Sequence, residues 1–391
     1  MGIGGPPTIF YRSVRFMSRH TDNGISGRPR VALLATEMCS HGGIQSYMWR
    51  IAEVIGAMAQ EGLVEGQVMS LNDNTEDLVR HPRMPLRVRA WGAGGSKIRL
   101  AAYAFGRTPR TDLMLVGHIG PAPLAHLLHG LGRLKRWALV LHGVESWRRI
   151  PILKRVAAHS AAKIIATTRY TAAQFAQQND IAGNLFCIVP LCADETPVQP
   201  SRGFRLHGGF KLLCVARLDA SERYKGIDQV IEALSRLSSQ YSDIHFNLVG
   251  DGSDRDRLER TAIHFGVSTR VTFWGRLSDE DLAAAYADCD VFVMPSKEEG
   301  FGIVFLEAMR HGKPCVGGNH GGSPEVIEDG KSGFLVQYED VQALVDSIAL
   351  LHREPTLRAT LGLKGRELAQ GRFSAHQFRQ RYREVILEGA E

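Results

Sequence analysis

The sequence repeats one unit along most of its length: a short apolar segment, a turn and then an amphipathic segment. At Val291–Met294 the apolar run is rich in β-branched and aromatic residues and is ended by Pro295, which predicts a buried strand. After a turn with two glycines, apolar residues at 303, 305, 306 and 309 predict a short helix that stops at Gly312. Alternation of this kind predicts parallel, doubly wound sheets of the α/β class, whose ligands bind beyond the carboxyl ends of the strands.

The same alternation divides the chain into two domains. Further strands are predicted at VALLAT, at 112–116, and at WALVLHG, AKIIATT, FCIVP, KLLCVARLD and IHFNLVG. Helices are predicted at SYMWRIAEVIGAMAQEG, near 121–136 and in RYKGIDQVIEAL. The pattern breaks at 196–209, TPVQPSRGFRLHGG, which is typical of a linker. A chain of 391 residues with 44% hydrophobic content is long enough for two domains, which we predict at 29–198 and 207–370. We predict a disordered lead-in at 1–28. In the final segment, 371–391, we predict a helix at 374–388 that crosses back to the first domain.

Two glutamates frame the turn that follows the strand at 291–294. Glu299 lies in the turn and Glu307 lies on the predicted helix, with seven residues between them. The first backbone N–H groups of a helix favour a phosphate, and carboxylates accept hydrogen bonds from sugar hydroxyls. A ligand that carries both phosphate and polyol therefore fits this turn. The alternative is a pair of solvated glutamates, because this spacing also arises by chance.

Several other residues follow predicted strands and are candidates for the same site. Arg217 ends KLLCVARLD and Lys225 comes eight residues later, so both can stabilise charge that develops on a leaving phosphate, although surface cations are the alternative. Gly42 and Gly43 either let the backbone approach a diphosphate or form an ordinary glycine turn. His118 and His142 also follow strands. GDGSDR has only the first two glycines of a dinucleotide fingerprint, so nicotinamide binding is not favoured.

The motifs together resemble one family. E-x(7)-E after a strand that ends in Pro-Ser resembles the donor-site signature of the retaining GT-B glycosyltransferases, the group that includes phosphatidylinositol mannosyltransferases and sucrose synthases. VLHGVE, the Arg217 and Lys225 pair, VTFWGRLSDEDLAAAYADCD and GGSPEVIEDGKSGFLV resemble the other motifs of this family and come in its order. The resemblance covers nearly everything after residue 30. It implies two facing Rossmann-like domains with a cleft between them, the first on the acceptor side and the second binding the nucleotide sugar.

The resemblance also implies a reaction and residue roles. A hexosyl group would move from a GDP- or UDP-sugar to an acceptor hydroxyl with retention, by a front-face mechanism that needs no protein nucleophile. Arg217 and Lys225 would bracket the diphosphate, Glu299 would hold sugar hydroxyls and His142 would contact the sugar. The other donor-binding residues would be Gly42, Gly43, Arg276, Leu277, Phe301, Gly302 and Glu307, the last at the ribose. A nucleotide-sugar epimerase or hydrolase and a non-catalytic sugar-nucleotide-binding protein are the alternatives.

We predict neither a metal nor a cofactor. Asp288 and Asp290 form a D-x-D pair, but they directly precede the strand at 291–294 and so lie at the end opposite the proposed site. The six cysteines show no C-x-x-C pair and no metal-type spacing, so we expect reduced thiols.

Positive charge is concentrated in the first domain. Between Arg80 and Arg155 there are fifteen Lys or Arg residues against Asp112 and Glu145, with tryptophans among them, whereas the rest of the chain is net negative. This pattern favours an anionic membrane surface, with a solvated face and nucleic acid as alternatives, and no nucleic-acid motif accompanies it.

No transmembrane run or signal sequence is evident, so we expect a cytoplasmic protein, peripheral on the inner face of the membrane. The expected acceptor is a saccharide or a lipid-linked saccharide, in bacterial exopolysaccharide, capsule or lipopolysaccharide synthesis. We expect the basic triad Arg133, Lys135 and Arg136 to contribute to membrane binding.

Overall fold

The computed structural model describes residues 27–40, 42–106, 110–193 and 198–390. Most of the predicted lead-in, 1–28, lies outside these described residues. The described chain forms two parallel sheets, each covered by helices on both faces, and the prediction of doubly wound sheets is confirmed.

The first sheet has seven strands in the order β3-β2-β1-β4-β5-β6-β7. They are β1 (Arg30–Ala35), β2 (Glu65–Ser70), β3 (Val88–Gly92), β4 (Thr111–Val116), β5 (Leu134–Leu141), β6 (Lys163–Ala166) and β7 (Phe186–Ile188). The helices are α1 (Gly43–Gln60), α2 (Thr75–Arg80), α3 (Lys97–Gly106), α4 (Ala122–Gly130), α5 (Ile152–His159) and α6 (Arg169–Asn179). The strand order reverses between β1 and β4, so a ligand crevice is expected beyond the carboxyl ends of these strands.

The second sheet has six strands in the order β10-β9-β8-β11-β12-β13. They are β8 (Phe210–Val215), β9 (Ile244–Val249), β10 (Val271–Gly275), β11 (Val291–Met294), β12 (Cys315–Gly318) and β13 (Gly333–Val336). The helices are α7 (Ile227–Leu237), α8 (Arg255–His264), α9 (Asp279–Asp288), α10 (Ile303–Arg310), α11 (Ser323–Val326), α12 (Val341–Arg353) and α13 (Pro355–Gln370). Here the order reverses between β8 and β11, and the segments after these two strands carry Arg217 and Glu299. The last helix, α14 (Ala375–Ala390), follows α13 in the chain but packs on the first sheet.

The predicted helix near 121–136 is wrong in its last third. Helix α4 ends at Gly130, and Gly132 has a positive φ of 66° that reverses the chain direction. Strand β5 then begins at Leu134, because Leu134 and Trp137 are buried in the sheet while Lys135 is exposed. Basic residues that alternate with apolar ones at 131–136 are compatible with both a helix and a strand. The sequence pattern therefore did not show where the helix ends and the strand begins.

The last helix packs against the first sheet and its neighbour α1. The Tyr382 hydroxyl donates a hydrogen bond to the Tyr47 hydroxyl over 3.0 Å, and Tyr47 donates to the Val189 carbonyl over 2.8 Å. Tyr47 and Tyr382 are fully buried, so these bonds satisfy hydroxyls that would otherwise lack a partner inside the protein. This contact fixes α1, whose first turn carries the glycine pair.

The domain boundaries at 29–198 and 207–370 remain a prediction.

We predict that Gly362→Ala destabilises the protein. Gly362 is buried on α13, and a Cβ atom there would lie 1.9 Å from the carbonyl oxygen of Gly312, at the end of α10. Because backbone cannot yield as a side chain can, we expect a loss of about 1–3 kcal/mol, measured as a lower midpoint of urea unfolding.

Gly130→Ala is the matched control, since its Cβ would meet no atom within 4 Å. It should leave the midpoint unchanged or raise it slightly, because alanine has the higher helix propensity. Equal midpoints for the two variants would contradict the packing described here.

Candidate active site

The turn between β11 and α10 forms the centre of the candidate site. Gly302 caps the helix with a φ of 84°, and a Cβ atom there would lie 2.4 Å from the ring of Phe305. A side chain at this position would therefore be both strained and crowded. Phe301 is buried and packs edge to face on Phe373, with ring centroids 5.8 Å apart. The turn is thus rigid, and it presents the first backbone N–H groups of α10.

A second turn brings Lys225 beside this one. Residues Ala220–Lys225 form two short 3-10 turns joined by a kink at Glu222, and the following Gly226 has a φ of 76°. A Cβ on Gly226 would lie 2.5 Å from the Pro295 carbonyl oxygen, and the Lys297 amide donates to the Tyr224 carbonyl over 2.8 Å. Because of this close contact, Lys225 lies near enough to Glu299 to favour its charged form electrostatically.

Glu222 holds the two predicted phosphate-binding cations together. One carboxylate oxygen accepts a hydrogen bond from Arg217, and the other lies 3.3 Å from the Lys225 ammonium. The Glu222 side chain is 11% exposed, whereas that of Arg217 is 71% exposed. Sequence reasoning missed Glu222, because no motif marks it; it lies three residues before Lys225. The carboxylate neutralises one positive charge and leaves a net cation for a ligand.

Glu299 occupies an environment that disfavours its charge. Burial raises its pKa above the ordinary range, and Lys225 together with hydrogen bonds from the Phe301 and Gly300 backbone opposes that shift only in part. The charged form of a carboxylate in this position is stabilised by any ligand that donates hydrogen bonds to it, as a sugar hydroxyl does.

His142 contributes a buried hydrogen-bond acceptor from the first domain. Its Nε2 atom lies 2.8 Å from the Gly117 carbonyl, which can only accept, so Nε2 carries the proton. Nδ1 is then an acceptor, and it is buried without a hydrogen-bond partner among the described residues. Burial lowers the pKa of His142, so the ring stays neutral near pH 7. Nearby His118 also has a pKa lowered by burial, but its Nδ1 already accepts from the Gly120 amide at 3.0 Å.

The two domains touch at this point. A Cβ on Gly143 would lie 2.6 Å from the Cα atom of Gly300, so only glycine fits on both sides of the contact. The Thr168 hydroxyl donates to the Gly300 carbonyl over 3.2 Å. His142 and Glu299 are each sequence neighbours of a glycine in this contact, so the domain contact brings the two predicted sugar-binding residues to one place.

A further carboxylate, also missed from the sequence, fastens the two domains. Glu325 accepts hydrogen bonds from the Arg169 and Tyr170 amides at 3.0 and 2.8 Å, and it lies 3.4 Å from the Arg169 guanidinium. These amides form the first turn of α6, where a negative charge is favoured by the helix dipole. The α6 N-terminus of the first domain is therefore capped by the second domain.

The glycine pair after β1 faces the start of α10. Gly42 caps α1, and a Cβ on Gly43 would lie 3.8 Å from the Ile303 side chain. The buried Asp73 carboxylate fixes the loop before them, since it accepts from the Met38 and Cys39 amides at 2.7 and 3.2 Å. The pair is therefore positioned opposite the predicted phosphate-binding turn.

The second domain also carries the other predicted nucleotide-binding residues, Arg276, Leu277 and Glu307. Glu307 accepts a 2.6 Å hydrogen bond from the Tyr286 hydroxyl, and burial raises its pKa. It lines a cavity of about 30 Å³ between α1 and α10. Exposed Arg276 and half-buried Leu277 follow Gly275, whose carbonyl accepts from the Gly250 amide at 2.8 Å. They are thus near the GDG loop.

The glycines of GDGSDR have a packing role. A Cβ on Gly250 would lie 1.9 Å from the Ala216 carbonyl oxygen, and one on Gly252 would lie 2.3 Å from that of Leu218. Both residues also have positive φ. The close approach brings the segments after β8 and β9 together around Arg217.

The D-x-D carboxylates are engaged elsewhere. Asp288 pairs with the Lys211 ammonium at 2.9 Å and accepts from the Leu206 amide, and Asp290 accepts from the Lys211 amide and lies 3.6 Å from Arg358. Within the part of the chain that the structure describes, no three His, Cys, Asp or Glu side chains are grouped so that they could hold a metal ion. All six cysteines are free thiols.

Two facing parallel-sheet domains, with cations and carboxylates at the carboxyl ends of their strands, define the GT-B class of nucleotide-sugar enzymes. The family model for glycosyl transferases group 1 matches residues 202–368. The GDP-mannose-dependent alpha-(1-6)-phosphatidylinositol monomannoside mannosyltransferase of Mycolicibacterium smegmatis is 32% identical over 280 residues, which cover 66% of this chain and 72% of that relative. The chain therefore belongs to the group 1 glycosyltransferases and is a nucleotide-sugar-dependent hexosyltransferase.

Solved structures agree on the fold. HepE of Anabaena in complex with UDP superposes with a TM-score of 0.76 at 21% identity, covering 92% of this chain and 100% of HepE. The sucrose-phosphate synthase of Thermosynechococcus elongatus gives a TM-score of 0.75 at 22% identity, with coverage of 92% and 100%. The GT-B architecture expected from the sequence is confirmed.

We predict that Arg217→Ala and Lys225→Ala each lower kcat by about a hundredfold or more, because fixed cations act on charge that develops in the transition state. Initial rates with saturating donor measure the effect. Arg236→Ala is the control, since Arg236 pairs with Glu232 on the surface of α7, and this variant should keep full activity. Near-normal rates in both site variants would contradict the assignment.

We predict that Glu299→Gln makes the donor-free protein more stable while lowering its turnover. An acid with a raised folded-state pKa loses stability as pH rises through that pKa, so removing the charge raises the thermal midpoint at neutral pH. The gain should shrink in acid, where Glu299 is already protonated.

The control for this prediction is Glu367→Gln, on the exposed surface of α13. It should leave both the midpoint and the turnover nearly unchanged. A lower midpoint for Glu299→Gln at neutral pH would show that the Glu299 charge stabilises the donor-free fold.

Proposed function

We propose that the protein transfers a hexosyl group, with retention, from a GDP- or UDP-sugar to a hydroxyl of a lipid-linked saccharide. The observation that carries the proposal is the cluster in which Glu222 holds Arg217 and Lys225 beside Glu299 and the start of α10. Cations and helix N–H groups suit a diphosphate, and the adjacent carboxylate suits a sugar.

In the proposed donor complex, each residue has one role. Arg217 and Lys225 bind the diphosphate, and the Phe301 and Gly302 backbone groups and the Gly42–Gly43 loop bind phosphate or sugar oxygens. Glu299 and the free Nδ1 acceptor of His142 take hydrogen bonds from sugar hydroxyls. Glu307 binds the ribose, and Arg276 and Leu277 pack on the base.

The proposed chemistry follows from this placement. The bond between the anomeric carbon and the β-phosphate oxygen breaks, and the acceptor oxygen forms its bond on the same face of the sugar. The acceptor proton passes to the departing phosphate. Charge grows on that phosphate as the bond breaks, and the two cations stabilise it by several kcal/mol in a water-poor cleft. No protein nucleophile takes part.

Two observations support a lipid-linked acceptor at an anionic membrane. The Mycolicibacterium relative is named for a phosphatidylinositol mannoside, which is a lipid-linked sugar. The basic excess of this chain falls at 80–155, in the domain opposite the donor cluster. None of the helices in the described ranges is long and apolar enough to cross a bilayer. The association that we propose is peripheral. We place the reaction in bacterial cell-surface polysaccharide synthesis, on the cytoplasmic side.

Acceptor dependence tests the proposal. With EDTA present, the protein is incubated with a panel of UDP- and GDP-sugars, with and without a lipid-linked saccharide. The matching donor should raise the thermal midpoint, because a ligand that binds only the folded state stabilises it. Sugar transfer should require the acceptor and should proceed in EDTA.

Other outcomes identify the alternatives. Conversion of the donor without an acceptor would indicate an epimerase or hydrolase, and donor binding without any turnover would indicate a binding protein. A strict requirement for a divalent cation would contradict charge stabilisation by Arg217 and Lys225 alone.

A further inference from the structure

Helices α3, α4 and α5 lie side by side on the first sheet, on the face opposite α1. Their inner sides share one buried core with the sheet, in which Leu100 of α3, Leu128 of α4 and Ala157 of α5 are members. Their outer sides face away from the sheet. What these outer sides carry therefore determines what this side of the first domain can contact.

Large apolar side chains are exposed at the beginnings of two of these helices. Ile98, in the first turn of α3, is 82% exposed, and Ile152 and Leu153, which begin α5, are 59% and 73% exposed. Single exposed apolar residues are common on protein surfaces. These three share one edge of the sheet, because α3 and α5 each begin after the carboxyl end of a parallel strand, β3 and β5.

Exposed cations flank each of these apolar side chains. Lys97 and Arg99 lie on either side of Ile98, and Arg148 and Arg149 precede Ile152. Of the nearby acids, Glu145 accepts from the His142 and Gly143 amides, and Asp180 lies 3.9 Å from Arg149. Lys97, Ile98, Arg99, Arg148, Arg149, Ile152 and Leu153 are named the carboxyl-edge patch.

The basic triad expected from the sequence to meet the membrane lies at the other edge. Arg133, Lys135 and Arg136 are at the start of β5, at its amino end. The Arg136 guanidinium donates to the Glu388 carbonyl of α14 over 3.0 Å, and the Nε atom of Arg133 is buried. Arg136 therefore supports the contact with α14, and reversing this triad would disturb packing. The contribution of this triad to membrane binding stays a prediction.

We propose that the carboxyl-edge patch docks on an anionic lipid surface. Ile98, Ile152 and Leu153 enter the headgroup region, and Lys97, Arg99, Arg148 and Arg149 meet lipid phosphates. The partner is anionic lipid because apolar side chains between cations match the layered chemistry of that surface. The patch shares its sheet edge with His142, so docking brings the cleft to the lipid. The inference rests on the proposed lipid-linked acceptor.

Sedimentation with vesicles tests the patch. Wild-type protein should bind vesicles of phosphatidylcholine with phosphatidylglycerol, bind pure phosphatidylcholine weakly, and be released by salt. Leu153→Asp removes an apolar contact, and the double variant Arg148→Glu, Arg149→Glu reverses two charges. Each should lower the partition coefficient by about tenfold or more. Because the two variants act through different forces, a folding defect in one leaves the other as a test.

Matched controls lie on α8 of the second domain. Ile263 is 66% exposed and Arg260 is exposed. Ile263→Asp therefore matches Leu153→Asp outside the patch, and Arg260→Glu reverses a single charge there. They should bind vesicles as the wild type does. Equal losses in controls and patch variants, equal wild-type binding to both kinds of vesicle, or no binding to anionic vesicles at low salt would each overturn the proposal.

A parallel assay separates this proposal from the proposed function. Transfer to an acceptor dissolved in detergent should be the same for the patch variants and the wild type, because the patch is apart from Arg217, Lys225 and Glu299. Loss of vesicle binding with intact transfer in detergent supports the patch. Absence of transfer to every acceptor would contradict the proposed function, while the vesicle measurements would still decide the docking surface.

Discussion

The contacts of the Glu222 carboxylate hold together the proposed donor cluster, which is Arg217, Lys225 and Glu299. Arg217 and Lys225 repel each other, and both would be free to turn away if nothing negative lay between them. Glu222 accepts a hydrogen bond from Arg217 and lies 3.3 Å from the Lys225 ammonium. Its side chain is largely buried, so the three side chains are already held together without a ligand. Preorganised charge of this kind avoids reorganisation during the reaction, which is where electrostatic catalysis gains most. We infer that Glu222 positions the two cations for the proposed diphosphate.

The second constraint is the contact between the domains. Gly143 and Gly300 approach so closely that neither position has room for a side chain, and Glu325 caps the first turn of α6 across the same interface. The sugar-binding residues proposed on the two domains, His142 and Glu299, are neighbours of these glycines. The contact between the domains therefore also assembles the proposed sugar site, because the two glycines that allow the contact are the sequence neighbours of His142 and Glu299.

Much of the fold and part of the candidate site could be predicted from the sequence. Arg217, Lys225 and Glu299 were recognisable because each follows a predicted strand, where parallel sheets place their ligands. Glu222 and Glu325 were not, since a glutamate has the same local sequence pattern whether its carboxylate is solvated or bound to other groups of the protein. Strands β2 and β3 were missed because EGQVMS and VRAWG mix polar and apolar residues, and β3 is a half-exposed edge strand.

Several features of the site lower the stability of the donor-free protein. Glu299 and Glu307 have pKa values raised by burial, and the Nδ1 atom of His142 is a buried acceptor without a partner among the described residues. Each of these groups would gain a hydrogen bond from a sugar hydroxyl, which removes part of the desolvation cost. Binding of the proposed donor would then stabilise the contact between the domains, because it satisfies polar groups that both domains contribute. Donor affinity and domain contact are coupled in this way through the same few side chains.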